Sequence, residues 1–280
     1  MQVDQVVPRA VEAPNGKVEI LGGFESNNTN AGQVGLNGGM AFAVPLGDKF
    51  GFQSDFAVTS SFGNAVYGST AHLFTRNPNS YLLGVVGGGI WSNNSSGYYV
   101  GPEFEIYSGK VSLEGTAAVL SQNLAGVGNT TIYAKTTAAY YATPGLRFEV
   151  GAKDLAGFKT AHVGMEWQVK EAAPISFVLE GTLGDNSYAG AMAGMKFYFG
   201  GTSSTLVDRH RKLDPVNTSL ELISNGGAAA FTPSSAPPAA CPSGWSTAPS
   251  NYLSSAPPSG PDYAVVGGCI SPTASNWFNS

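Results

Sequence analysis

The sequence predicts an all-β fold, an antiparallel up-and-down transmembrane barrel of about twelve strands with a Pro/Ser-rich C-terminal tail. Only 12% of the residues are charged, whereas an ordinary soluble domain carries about 25%. No apolar run reaches the roughly 18 residues that a membrane-spanning helix needs. Up to about residue 200, apolar and polar positions alternate between turn residues, and the aromatic content argues against disorder.

The strand series begins at Lys17. Each segment has roughly 9–13 residues, the length with which a tilted strand crosses a bilayer. The separators carry turn chemistry, as in Asn77-Pro78-Asn79 and Thr143-Pro144-Gly145. The longest gap is expected around 123–129. The predicted strands are 17–26, 33–45, 49–61, 65–76, 80–92, 97–107, 110–121, 130–142, 145–154, 158–170, 174–183 and 187–199.

Alternation alone leaves two architectures open. In segment 158–170, Val163, Met165 and Trp167 share one face, and His162 and Glu166 share the other. A soluble β-sandwich would bury the apolar face, whereas a membrane barrel would turn it to lipid and line the lumen with the polar face. A soluble glycine-rich β-sandwich therefore remains the alternative fold.

Three features favour the barrel. The polar faces are poor in Lys and Arg, and the connections between an even number of strands are short. Aromatic residues also gather near the strand ends, where such barrels carry girdles of aromatic rings at the two membrane interfaces. The expected girdle residues are Phe62, Tyr67, Tyr81, Trp91, Tyr98, Tyr99, Tyr107, Tyr140, Tyr141, Phe197, Tyr198 and Phe199.

The last predicted strand carries a short motif, Gly194-Met195-Lys196-Phe197-Tyr198-Phe199. It resembles the β-signal of bacterial outer-membrane proteins, with Gly194, Phe197 and Phe199 in the matching positions. Met192 departs from the pattern, because that position is usually polar. The junction Val207–Pro215 is similar to that of alphaproteobacterial-type outer-membrane β-barrel proteins. The resemblance covers residues 17–199 as an architecture.

The resemblance implies a porin-like protein of the bacterial outer membrane. Its partners would be the lipid bilayer and the outer-membrane assembly machinery, which reads the β-signal. Both ends of the barrel would face the periplasm, and so would the tail. A removed signal peptide is assumed, because Met1-Gln2-Val3-Asp4 lacks a charged segment followed by an apolar one.

We divide the chain into an N-terminal lead (1–16), the barrel (17–200), a basic junction (201–223) and the tail (224–280). The cations at 209–212 predict one of three arrangements: helical turns at the inner membrane surface, a fold-back against acidic lumen groups, or a solvated hinge. Cys241 and Cys269 are expected to form one disulfide in an oxidising compartment, with two unpaired thiols as the alternative.

No catalytic residue, cofactor or metal ligand is predicted. Of the three histidines, only His162 is a barrel residue with a carboxylate nearby on its own strand, Glu166. It is expected to face the lumen, which is the wrong side for a lipid-modifying enzyme. Phosphate loops, HExxH and metal-spaced clusters are absent. A net charge of −5 without a basic stripe argues against nucleic-acid binding.

The lumen is the predicted functional site. Its inward residues are expected to be net acidic, which in a pore favours cations. The leading function is a passive channel for small solutes or ions; the alternatives are an anchoring protein whose tail binds a periplasmic partner or the cell wall, and a lipid-modifying barrel enzyme. The predicted lumen residues are Glu19, Asp55, Glu103, Glu105, Glu114, Lys135, Arg147, Glu149, His162, Glu166, Glu180 and Lys196.

Overall fold

A computed structural model describes residues 8–93, 95–124, 126–170, 173–201, 205–224 and 226–231, and the backbone of 246–247, 265–266 and 269–270. The chain divides into two compact units, Met1–Thr232 and Pro233–Ser280. Within the described residues, no helix is long and apolar enough to span a membrane.

The first unit contains twelve antiparallel strands that close into a barrel, as predicted. Each strand pairs with its neighbours in sequence, and β1 pairs with β12 to complete the ring. Alternation of polar and apolar side chains defines the strands, and short turns join each strand to the next to give this meander. The strands are β1 (Asn15–Ser26), β2 (Gln33–Leu46), β3 (Phe50–Ser61), β4 (Asn64–Asn77), β5 (Tyr81–Ser92), β6 (Ser95–Ser108), β7 (Val111–Leu124), β8 (Val127–Thr143), β9 (Leu146–Leu155), β10 (Phe158–Trp167), β11 (Ile175–Gly184) and β12 (Tyr188–Gly200).

The barrel has two mouths. We call the one where β1 begins and β12 ends the terminal mouth, and the opposite one, where β1 turns into β2, the distal mouth. The connection expected around 123–129 is shorter than predicted, because β7 and β8 pair up to Leu124 and Val127 at the distal mouth. Another distal turn places Phe62 and Gly63 at φ 47° and 77°, as a two-residue type I′ hairpin requires.

The apolar faces point outward and the polar faces inward. On β3, Phe52, Phe56 and Val58 are 36%, 46% and 42% exposed, whereas Gln53 and Asp55 are fully buried. The same alternation recurs around the ring, with exposed Val, Leu, Ile and Phe on every strand. This is the reverse of a soluble β-sandwich, whose apolar faces meet inside. The predicted orientation of the faces is therefore confirmed.

The aromatic residues near the strand ends do not all belong to one outer girdle. Tyr67, Tyr81, Trp91, Tyr98, Tyr140 and Phe199 are exposed on the outer surface. The prediction was wrong for four tyrosines that are buried inside the barrel, Tyr99, Tyr107, Tyr141 and Tyr198. Their strand parity places them inward, and their hydroxyls bind polar side chains there.

Among the described residues, four short helical elements follow β12. They are α1 (Leu206–Asp208), a π-helical turn (Arg209–Leu213), α2 (Thr218–Ile223) and α3 (Gly227–Phe231). None is long enough to be stable alone, and their buried side chains include Leu206, Leu213, Leu222, Ile223 and Phe231. The surface that buries them is the inner face of the barrel.

The second unit contains a small three-stranded sheet in the order β13-β15-β14. Its strands are β13 (Ser246–Thr247), β14 (Val265–Val266) and β15 (Cys269–Ile270). Cys241 lies outside the described residues, and only the backbone of Cys269 is described. The expected disulfide between them stays a prediction.

Candidate functional site

The lumen is occupied by the chain itself. We call residues 205–224 and 226–231 the lumenal segment. It enters at the terminal mouth, where the Val207 amide donates to the Pro144 carbonyl at 3.3 Å. Arg211 donates to carbonyls of a turn at the same mouth, at 2.9 Å to Gly109 and 2.8 Å to Val111. These bonds fix the entry point of the segment.

Arg76, near the terminal end of β4, binds the π-helical turn of the lumenal segment. Its guanidinium donates to the carbonyls of His210 at 3.2 Å and Leu213 at 2.9 Å. It also donates to the Ala10 carbonyl at 2.8 Å. A planar guanidinium with several donors is suited to bind several backbone acceptors at once. One strand residue thus joins the lumenal segment to the N-terminal lead.

Residues 9–14 close the terminal mouth together with the lumenal segment. The Glu12 amide donates to the Lys212 carbonyl at 2.9 Å, and the Ala10 amide donates to the Asp48 carbonyl at 3.0 Å. Val11 is fully buried in an apolar cluster with residues of β2, β4, β5 and β6. The predicted polar lead is therefore an integral part of the barrel's end.

A buried ion pair fixes the segment one step further in. Lys17 on β1 lies 2.7 Å from the carboxylate of Asp214, and both side chains are almost fully buried. The same ammonium donates to the Pro215 carbonyl at 2.5 Å. Removing one partner of a buried pair typically costs about 3–5 kcal/mol, because the other charge is left uncompensated. Loss of either charge by substitution should therefore be costly while the segment is in place.

Halfway along the lumen, β3 binds the start of α2. The Thr218 amide donates to the Asp55 carboxylate at 2.7 Å, and Gln53 donates to the Val216 carbonyl at 3.1 Å. Asn217 caps α2 by accepting from the Leu220 amide at 2.9 Å. A carboxylate beside the free amides of a first helical turn is favourable. The barrel wall thus supplies part of the cap of a helix in its interior.

The end of α2 meets the cations of the opposite wall. Lys135 on β8 forms an ion pair with Glu221. Lys153 on β9 donates to the carbonyls of Glu221 and Ser224, both at 2.8 Å. Carbonyls at a helix C-terminus lack intrahelical partners, and a lysine satisfies them and the negative end of the helix dipole. The helix is therefore held from both sides of the barrel.

Apolar packing completes the distal half. Leu220, Leu222, Ile223, Ala228 and Phe231 of the segment form one buried cluster with inward residues of the strands, among them Leu21, Val66, Ile90, Tyr99, Leu120, Tyr133 and Leu155. Burying a Leu or Phe side chain contributes about 1.5–3 kcal/mol. The cluster also explains why leucine and isoleucine face inward in a barrel that is otherwise polar inside.

The structure places all twelve predicted lumen residues on inward strand positions, and several form ion pairs. Arg147 contacts Glu114 at 2.8 Å and Glu149 at 2.5 Å. Lys196 contacts Glu166 at 2.9 Å and Glu19 at 3.5 Å. The others are distributed around the wall: Asp55, Glu103 and Glu105 on β3 and β6, Lys135 on β8, His162 on β10 and Glu180 on β11.

Sequence reasoning missed five inward acidic, basic or histidine residues of the wall: Lys17, Glu25, His72, Arg76 and Lys153. A signal was present in the strand parity, since Lys17 and Glu19 are two apart and Arg76 and His72 are four apart. When these residues are counted, the excess of carboxylates over Lys and Arg side chains in the lumen is smaller than predicted. The lumenal segment was missed as lumen filling, although folding back of residues 209–212 against acidic groups was one of the three alternatives.

The basic junction takes that fold-back arrangement. His210 lies 3.5 Å from the Glu166 carboxylate, and its ring accepts or donates a 2.9 Å hydrogen bond with Tyr141. The Arg209 guanidinium lies 4.6 Å from the centre of the Tyr198 ring, within cation–π range. Lys212 pairs with Asp208 at 2.8 Å and is half exposed. The cations therefore bind the barrel's interior and its rim.

The barrel histidine with close carboxylates is His72, not His162. Its ring nitrogens lie 3.0 Å from Asp55 and 2.7 Å from Glu103. His162 lies 4.0 Å from Glu149, and Glu166 instead binds Ser176 and Lys196. Among the described residues, no group of three or more His, Cys, Asp or Glu side chains is placed to hold a metal ion.

Little space remains beside the lumenal segment. A polar cavity of about 50 Å³ lies between Glu19, Arg147, Glu166 and the segment, and another of about 20 Å³ lies between Glu105, Glu114 and Val216. A water molecule needs at least roughly 10–15 Å³ by this measure. These spaces accept a few waters and no larger solute.

The motif residues Gly194, Phe197 and Phe199 lie on β12, which closes the ring against β1. Phe199 is 42% exposed on the outer surface and its ring contacts Phe42. Gly194 lies opposite Leu21, and a Cβ there would collide with the Ile20 carbonyl oxygen. A role in assembly is not tested by these positions.

No protein-family model matches this chain, and no curated protein sequence matches it. Solved structures with a similar backbone include the KdgM porin, with TM-score 0.47, 9% identity, 65% of this chain and 99% of that chain covered. Others are outer membrane phospholipase A from Escherichia coli (0.48, 12%, 69% and 93%) and the translocator domain of autotransporter NalP from Neisseria meningitidis (0.45, 9%, 68% and 88%). At such identities, function has to be argued from this chain's own residues.

Proposed function

We propose that this protein is an outer-membrane β-barrel channel that its own lumenal segment keeps closed. One observation carries the proposal: the lumenal segment fills the polar interior of a closed twelve-stranded barrel and is held by wall residues from the terminal mouth to the distal mouth. An open passive channel is therefore not the state described, and a conducting state requires displacement of the segment.

The outer surface supports the membrane location. Apolar side chains are exposed on every strand, and in water such a surface would drive aggregation. Closed antiparallel barrels with an even number of strands and an apolar outer face are the β-structures that span bacterial outer membranes. In this proposal the assembly machinery inserts the barrel by reading the last strand, with Gly194, Phe197 and Phe199 as its signal.

The inward charges suggest the solute class. Moving the lumenal segment away would leave Lys17 and Lys135 without Asp214 and Glu221. Even so, buried carboxylates outnumber buried Lys and Arg side chains on the strands. Carboxylates such as Asp55, Glu103 and Glu105 would then line the passage. Small hydrophilic solutes, with a preference for cations, are the proposed cargo. The proposal assigns no enzymatic chemistry to the barrel.

The test is a charge exchange between the wall and the segment, read out as single-channel conductance in planar bilayers. The wild-type protein should be mostly silent. Lys135→Glu places like charges against Glu221, and Glu221→Lys does the same against Lys135, so each should increase the open time. The double exchange restores an opposite pair and should return the channel toward silence.

A matched control is Lys110→Glu, since the Lys110 side chain lies in a turn at the terminal mouth and donates to the Ala142 carbonyl of the wall rather than to the lumenal segment. It should leave the open time unchanged. Steady conductance of the wild type would contradict the closed channel. Silence of both single variants, with barrels that still shift in gel mobility on boiling, would favour the second candidate, an anchor whose filled lumen never opens.

A further inference from the structure

The contacts of the lumenal segment advance in one direction along the barrel. The segment starts at the terminal mouth, where β12 ends. Asp214 then meets Lys17, Thr218 meets Asp55 at mid-strand, and Ser224 meets Lys153 in the distal third of β9. No described residue of the segment turns back toward the terminal mouth.

The segment ends at the distal mouth. The Phe231 carbonyl accepts a 3.4 Å hydrogen bond from the hydroxyl of Ser92, the last residue of β5. The Phe231 ring is fully buried beside Gly97 and Leu120, close to the distal ends of β6 and β7. At Gly226, a Cβ would contact Phe158 and Tyr188, which begin β10 and β12 at that mouth.

We infer that the barrel passes its own chain through the lumen, so that the residues after Phe231 leave at the distal mouth, on the opposite side from the ends of β1 and β12. With those ends in the periplasm, the C-terminal unit Pro233–Ser280 is presented on the cell surface. The predicted periplasmic tail is the alternative that the test below distinguishes from this inference. The inference rests on the proposed membrane location but not on channel activity, so a barrel that never conducts leaves it standing.

The filled lumen supports a single passage. A helix with its side chains is about 10–12 Å wide, and an interior of twelve strands lies between the side-chain-filled eight-stranded barrels and the open sixteen-stranded ones. Between the described residues of the wall and the segment, the cavities of about 50 and 20 Å³ are too small for a second strand of chain. The described residues thus support one passage of the chain through the lumen, which ends at Phe231 at the distal mouth.

The test is the sidedness of short epitope tags in the full-length protein, measured by antibody binding to intact and to permeabilised cells. One tag follows Ser280. Two reference tags mark the mouths, between Asp48 and Lys49 in a terminal turn and between Gly63 and Asn64 in a distal turn. The tags after Ser280 and Gly63 should bind on intact cells, and the tag after Asp48 only after permeabilisation.

A tag after Ser280 that shares the side of the Asp48 tag would overturn the passage through the lumen. If the Ser280 and Gly63 tags bind only after permeabilisation and the Asp48 tag binds on intact cells, the surface assignment falls. A cross-link checks the path itself. Thr70 on β4 and Ser219 on α2 are in hydroxyl contact, so Thr70→Cys with Ser219→Cys should form a disulfide, which mass spectrometry identifies by its linked peptides.

The single variant Thr70→Cys is the control for that cross-link, and it should not link to residue 219. Surface-labelled molecules that carry the cross-link would establish that the segment fills the lumen while the C-terminal tag is outside. Surface labelling without any cross-link in the double variant would contradict the path through the lumen. Conductance is not needed for either readout, so the result is independent of whether the channel opens.

Discussion

At the scale of single residues, the closure of the ring depends on Gly194. It lies at the seam between β12 and β1, where a Cβ would collide with the Ile20 carbonyl oxygen. The two strand backbones come too close there for any side chain. This requirement belongs to the folded barrel and is separate from recognition of the last strand by other proteins.

Gly194→Ala should therefore weaken closure, by roughly 1–3 kcal/mol as in other overpacked sites. The measurement is the temperature at which the folded, fast-migrating form is lost in gels without boiling, and we expect it to fall. Gly38→Ala on the outer face of β2 is the control, since a Cβ there meets only the Val58 side chain at 3.6 Å. Equal stability of the two variants would refute the close-contact explanation.

The charged residues of the lumen show how far single positions can be read from sequence. Inward acids such as Asp55 and Glu166 follow from strand parity. Lys17, Arg76 and Lys153 obey the same parity, yet their partners Asp214, His210 and Ser224 lie far away in sequence. A contact between a strand residue and a segment far away in sequence produces no periodic pattern from which it could be predicted.

At the scale of elements, the strands and the lumenal helices differ in what stabilises them. The strands are fixed by a continuous ladder of backbone pairs. In contrast, α2 has six residues, so packing against the wall has to stabilise it. Leu222 and Ile223 are fully buried there. Disturbing this packing should loosen the segment without opening the barrel.

Leu222→Ala should cost about 2–5 kcal/mol of the segment's stability, the range for buried leucines. Hydrogen exchange followed by mass spectrometry in detergent should show faster exchange in 206–224 and unchanged exchange in the strands. Leu183→Ala is the matched control, because Leu183 is 68% exposed on the outer face. If exchange rises equally in the segment and the strands, the two elements unfold as one unit.

The same difference explains which elements the sequence could reveal. The period of two in strands such as β3 and β10 shows both the strand and its inward face, and turn residues mark its ends. Helices of three to six residues are too short to display a period of 3.6. The residues at 205–231 therefore looked like a polar junction and the start of a tail, and only the closed barrel gives them a place to be buried.

At the scale of the whole molecule, the barrel is the reverse of a soluble β protein. Its apolar side chains lie outside, and its charged side chains lie inside around a filled lumen. The free-energy cost of a charged residue on the outer face should then depend on its depth along the strand. Phe50 and Phe56 lie on the same outer face of β3 and are 50% and 46% exposed. Phe50 begins the strand at the terminal mouth, whereas Phe56 is near its centre.

This pair tests the membrane orientation within one strand and one residue type. A lysine on the lipid face costs about 2–4 kcal/mol at the bilayer midplane and about 0–1 near an interface. Phe56→Lys should therefore strongly reduce the folded fraction in lipid vesicles, measured by urea titration, and Phe50→Lys should change it little. In water both positions would be exposed, so equal effects would show that the outer face does not contact lipid and would leave the soluble β fold as the better account.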